Sequence, residues 1–76
     1  MDLIKVLRNI RASGKLDGNT VLLVKLKSGE RVKGKYVSCV AAEDNDPEIS
    51  QLDVRDQDTG GIVGILETEI QSITAE

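Results

Sequence analysis

A chain of 76 residues with 39% hydrophobic side chains is enough for one domain, too apolar for a disordered tail, and, with one cysteine, not a disulfide-stapled scaffold. Leu, Ile and Val dominate its apolar set, Tyr36 is the only aromatic, and no apolar run approaches the ~20 residues of a membrane span. The net charge of −3 excludes promiscuous coating of nucleic acid, yet residues 1–36 hold nine basic side chains against three acids and residues 37–76 one against ten, so a local basic surface is open to it.

Residues 2–12 read as a helix. Leu3, Leu7 and Ile10 recur at i, i+4 and i+7 with Ile4 and Val6 beside them, while Lys5, Arg8, Asn9 and Arg11 take the other side. Asp2 suits the positive end of the helix dipole, Arg8 and Arg11 suit the negative end, and Ser13-Gly14 is a stop signal. So short a helix is not stable alone in water, so its apolar side must dock. Asp17-Gly18-Asn19 marks a turn.

Residues 21–27 and 31–40 are strand-like and separated by Ser28-Gly29-Glu30, a hairpin signal. With Lys25, Lys27, Arg31 and Lys33 outward, Leu22, Val24, Leu26, Val32, Gly34 and Tyr36 point inward. That parity requires a three-residue loop, with Lys27 opposite Arg31 and Lys25 opposite Lys33. From Val37 the alternation changes phase, which predicts a bulge or sharp bend, and Gly34 lets the strand curl. Glu43-Asp44-Asn45-Asp46-Pro47 is a polar turn. Residues 49–56 resume strand character, with Leu52 and Val54 on one face and Asp53 and Arg55 on the other; after the turn at 57–61 come strands at 62–66 and 69–74. One helix and five strands predict a single mainly β domain over 1–76, a small, strongly bent five-stranded barrel over 20–74 with an N-terminal α-helix closing one end. A domain this small buries too little surface to be robust alone, so association is the expectation.

This order of elements, with its long bent second strand, resembles the Sm-like superfamily. Residues 24–36, Val-Lys-Leu-Lys-Ser-Gly-Glu-Arg-Val-Lys-Gly-Lys-Tyr, are similar to its first motif, hydrophobic-x-Leu-x-(Asn/Asp)-Gly-(Arg/Lys)-x-hydrophobic-x-Gly-x-Leu, and residues 65–73, ending in Ile70-x-x-Ile73, resemble its second. The resemblance is to divergent members of bacterial or phage origin. It implies a homo-oligomeric ring of about five to seven subunits, the fourth strand of one pairing with the fifth of the next. Ile62, Val63, Ile65, Leu66, Ile70 and Ile73 are then its interface residues, and RNA or another single strand its ligand. The chain departs from the family at the uridine pocket. Val40 stands where the family has Asp, Glu43-Asp44 lie near the Met-Asn position, and only Asn45, one place late, can stand in for the base-contacting Asn. The second motif's Arg-Gly, or the Lys-His of the Hfq branch, is replaced by Leu66-Glu67 or Glu67-Thr68.

Like charges opposite one another cost a sheet up to about 1 kcal/mol a pair. An anion over Lys25, Lys27, Arg31, Lys33 and Lys35 would offset that, and phosphate fits; so would splaying into water, or contact with a neighbour's acidic half. Arg8 and Arg11, with Lys5, form a second basic patch that reads equally as a solvated helix face. Tyr36 looks inward, so stacking on bases has no support and any RNA contact is phosphate-led and weakly sequence-specific. The acidic cluster at 44–48 lacks the Gly and the bidentate Glu of a calcium loop, so no metal and no cofactor are expected. With no His, and Cys39 reading as a small buried hydrophobe, catalysis is not expected. A lone cysteine fits a reducing compartment, the cytoplasm of a bacterial cell or phage-infected host. Two functions stay open: a nucleic-acid-binding ring, possessing weak sequence preference and serving RNA or DNA processing, and a non-enzymatic structural or adaptor ring that binds a protein.

Overall fold

The computed structural model describes every residue from Met1 to Glu76. Helix α1 (Leu3–Ala12) precedes five strands, β1 (Val21–Leu26), β2 (Arg31–Val40), β3 (Gln51–Asp56), β4 (Ile62–Leu66) and β5 (Ile70–Ala75). They form one antiparallel sheet in the order β4-β3-β2-β1-β5. The mainly β class with an N-terminal helix is as expected, but the sheet is not closed. A three-residue 3-10 turn, Glu67–Glu69, carries the chain from β4 to β5. Its ends bond to residues beside two different strands: Glu67 N–H donates at 2.8 Å to the carbonyl of Ser50, just before β3, and the Glu69 carbonyl accepts at 2.9 Å from the N–H of Lys27, just after β1. The bent sheet's edges approach there without forming a ladder, so where a barrel was expected β4 and β5 each keep a free edge. No helix is long and apolar enough to cross a membrane.

Alternation makes the core. Leu22 and Val24 of β1, Leu52 and Val54 of β3, Ile65 of β4 and Ile70 of β5 meet Leu3 and Leu7 of α1, all fully or almost fully buried. The helix starts one residue later than expected because Asp2 is its N-cap. The Asp2 carboxylate accepts from Lys5 N–H at 3.1 Å. Glu67 supplies a second acceptor, taking the Leu3 N–H at 2.8 Å. At the far end Gly14, at φ 77°, follows the Ser13 cap.

The β1–β2 register differs from the expected one. Leu26 N–H donates to the Glu30 carbonyl at 2.8 Å and Gly29 N–H to the Leu26 carbonyl at 2.9 Å, so the three-residue loop is Lys27-Ser28-Gly29. Such a loop wants its left-handed residue last, and Gly29 sits there at φ 95°; the expected loop put glycine in the middle. The pairing therefore slides by two residues. Lys25 faces Arg31, Leu23 faces Lys33, and Lys27 leaves the ladder for the loop. An even slip keeps every side chain on its face, so the inward and outward sets survive.

The phase change at Val37 is a bulge. Tyr36 pairs with Val54 and Ser38 with Asp53, leaving Val37 without a partner and 42% exposed. The extra residue returns Cys39, opposite Leu52, to the core side that Tyr36 occupies. Gly34 lies opposite Asp56, where a Cβ would overlap the Arg55 carbonyl, so β2 and β3 approach more closely than any side chain at 34 allows. Smaller differences fall at strand ends. β3 begins at Gln51 because Ile49 turns its N–H onto the Pro47 carbonyl at 2.7 Å, and β5 runs one residue further along β1 than expected.

Candidate nucleic-acid interface

The sheet face away from α1 gathers the basic strand residues. Arg31, Lys33 and Lys35 alternate along β2 on that face, and all are exposed. Lys25 lies opposite Arg31 across one ladder, and Arg55 opposite Lys35 across the next. In each of these two pairs like charges lie directly opposite one another, at a cost to the sheet. Arg55 was missed as a site residue. Its outward direction on β3 is legible from alternation, but its placement beside Lys35 depends on the β2–β3 register, which no tight turn sets.

Counter-charge on this face comes from Glu76 and from Asp53, which shares the Arg55 side of β3 and accepts hydrogen bonds from Ser38 and Gln51 rather than pairing with a cation. The one salt bridge in the chain joins Lys33 Nζ to Glu76 Oε2 at 2.8 Å. Arg55 donates from Nη1 to the Gly60 carbonyl at 2.8 Å, a neutral acceptor that fixes the guanidinium without cancelling its charge. Lys35 and Arg55 border a shallow cleft of about 210 Å³ completed by Asp56, Gln57 and Gly60. The Asp56 carboxylate is turned to its own loop, accepting from Asp58 N–H at 2.7 Å. Lys27, in the hairpin loop, borders another depression with Glu69.

Arg8 and Arg11 do not join this face. Both lie beside a cleft of about 230 Å³ between α1 and β2, floored by Ile4, Leu7, Tyr36 and Cys39, on the side of the sheet that the helix covers. The two basic patches are therefore on opposite sides of the sheet. Burial pushes the Cys39 thiol up from its ordinary value, with the Asp53 and Glu67 carboxylates adding to the effect and Arg11 opposing it. Cys39 is held as the thiol, the less nucleophilic form.

Asn45 stands apart from the cations too. Its Nδ2 donates to the Ile49 carbonyl at 2.9 Å and to Gln51 Oε1 at 3.2 Å. Gln51 donates to Asp53 at 2.8 Å, and Ser38 donates to the other Asp53 oxygen at 3.2 Å. Both amide hydrogens of Asn45 are thus used in bracing the loop, leaving only its carbonyl oxygen for a ligand. Glu67 is spent on capping α1.

The expected interface residues divide. Ile65 and Ile70, 2% and 1% exposed, are spent on the chain's own core, so their side chains do not face a neighbour as expected. Ile62 is 56% exposed, while Val63, Leu66 and Ile73 are half-buried. The bonds from Asp56 N–H to Gly61 and from Glu67 N–H to Ser50 set the hydrogen-bonding phase of the β3–β4 ladder. By alternation, Ile62, Gly64 and Leu66 turn their main-chain groups to the open edge. Glu76 N–H donates to Val21 at 2.9 Å, so on β5 Ile73 and Ala75 do the same. No family model matches this chain, and no curated protein and no solved structure matches it.

Proposed function

We propose that the protein is a ring-forming, single-stranded nucleic-acid-binding module of Sm-like type, which holds RNA by its phosphates with little sequence preference. The observation that carries this reading is the outer sheet face, where Lys25 meets Arg31 and Lys35 meets Arg55 with no carboxylate paired to any of the four. A polyanion lying across them offsets a repulsion that no ion pair to these four side chains relieves. The ring is supported by the order β4-β3-β2-β1-β5 with both edges unpaired, and by Ile62 exposed on one of them. Pairing of β4 with β5 of the next subunit would complete the bent sheet as a barrel-like wall and remove two aggregation-prone edges. Asn45 and Glu67 are used internally, which favours backbone contact over a base pocket.

Native mass spectrometry with and without a mixed-sequence RNA tests both parts. A closed oligomer that gains an RNA mass is the expected result, lost on Lys25→Glu with Arg31→Glu while the oligomer persists. A ring that takes up no RNA moves the protein to the adaptor class, and a monomer at all concentrations removes the ring.

A further inference from the structure

We infer that the outer sheet face carries two separate phosphate subsites, Lys25 with Arg31 and Lys35 with Arg55, and that it reads an extended single strand at every second phosphate. This rests on the nucleic-acid reading above and specifies how that ligand is held. Each subsite joins one arginine to one lysine directly opposite it across a ladder. The planar guanidinium can take two phosphate oxygens, and the ammonium adds a point charge beside it.

The spacing follows from bond counting. One nucleotide of a sugar–phosphate backbone contributes six bonds to the chain, and so do two residues of a polypeptide. When both are extended, a nucleotide step covers about the same length as two strand residues, roughly 6.7 Å. Arg31 and Lys35 are four residues apart on the same face of β2, about 13 Å, hence two nucleotide steps. The position between them is already neutral. Lys33 is bound at 2.8 Å to Glu76, and it faces half-buried Leu23 rather than another cation. The face is thus not an even comb of charge. Two cationic stations flank a step where the carboxylate of Glu76 already occupies the place of a phosphate.

The second station is the more completely built. Arg55 is held by the Gly60 carbonyl at 2.8 Å, which fixes the guanidinium and leaves its other N–H groups for a ligand. Lys35 closes the other side of the 210 Å³ cleft. A strand running along β2 would pass from the hairpin end, over Lys33 and Glu76, to this cleft.

Titration of the isotope-labelled protein with RNA oligonucleotides of increasing length tests the spacing. A dinucleotide has a single bridging phosphate and can fill one station; a tetranucleotide has three and can fill both. The wild type is expected to bind the tetranucleotide far more tightly than the dinucleotide, with amide shifts at both stations. Lys35→Gln with Arg55→Gln should keep the dinucleotide shifts at Lys25 and Arg31, lose most of the gain with length, and flatten the logarithmic salt dependence by about 0.7, the share of one phosphate. A double variant, shown by its amide spectrum to be folded, that keeps both the length gain and the salt slope overturns the two-station assignment while leaving nucleic-acid binding intact. A wild type that binds no RNA of any length at low salt removes the functional reading itself.

Discussion

Gly34 is the residue at which the smallest chemical change has the largest expected effect. A Cβ there would overlap main-chain atoms of Arg55, which cannot swing aside as a flexible side chain could. Gly34→Ala should cost about 1–3 kcal/mol in urea denaturation. It should also weaken RNA binding through Arg55, because the shift falls on the strand that carries that side chain. Glu76 makes the opposite case. Its bond to Lys33 is half exposed on both sides and worth little to stability. Glu76→Gln should leave the unfolding midpoint almost unmoved and raise RNA affinity by up to about fivefold, by freeing the central cation. Cys39 adds a pH dependence whose sign follows from its raised value. The folded thiol keeps its proton when the unfolded one, near 9.0, has begun to lose it. Its contribution is therefore complete below that pH and is lost as pH rises through the folded value. Stability measured from pH 8 upward should fall less steeply in Cys39→Ala than in the wild type.

Among the elements, the helix is held in place by groups distant in sequence. Asp2 is legible as a helix-start residue from its position alone, but Glu67 is not, since it reaches Leu3 N–H from the turn after β4. Glu67→Ala should cost about 0.5–2 kcal/mol, comparable to loss of an N-cap, read as lowered helical signal and a lower unfolding midpoint. The same distinction between local and long-range information explains what could be read in advance. The helix, all five strands, both hairpin turns and the bulge at Val37 follow from periodicity and from glycine and proline placement within short windows. The β1–β2 slip was also local, but it turned on which loop position takes the positive φ of Gly29. The pairing of Lys35 with Arg55 and the open edge between β4 and β5 depend on how distant strands register, and single-strand alternation does not encode that. For the same reason Ile65 and Ile70 read as interface residues: apolar side chains on a strand look alike whether they meet their own core or a neighbour.

At the scale of the whole molecule, the two open edges and the two basic faces set how copies and ligands can be arranged. The N–H of Ile62 belongs to the open edge rather than to the β3–β4 ladder, so proline at that position removes a donor only from the outside. Ile62→Pro should yield a folded protein of lower oligomeric mass in native mass spectrometry; a full ring in this variant would exclude β4 from the interface. Charge is divided as well, with Arg8 and Arg11 beside the helix cleft and the strand cations on the opposite side. In an edge-to-edge ring these sets would form two separate surfaces, so RNA bound over β2 leaves the helix arginines free.

The position of Tyr36 has a practical meaning for anyone following these events in solution. The chain has no tryptophan and no second tyrosine, so all near-ultraviolet emission comes from one phenol. That phenol lies in the cleft between α1 and β2, with Ile4, Leu7 and the arginines across from it. Its fluorescence and near-ultraviolet dichroism are therefore a built-in gauge of whether the helix is seated. A ligand on the outer face should leave that signal still, and detachment of α1 should change it before the sheet melts.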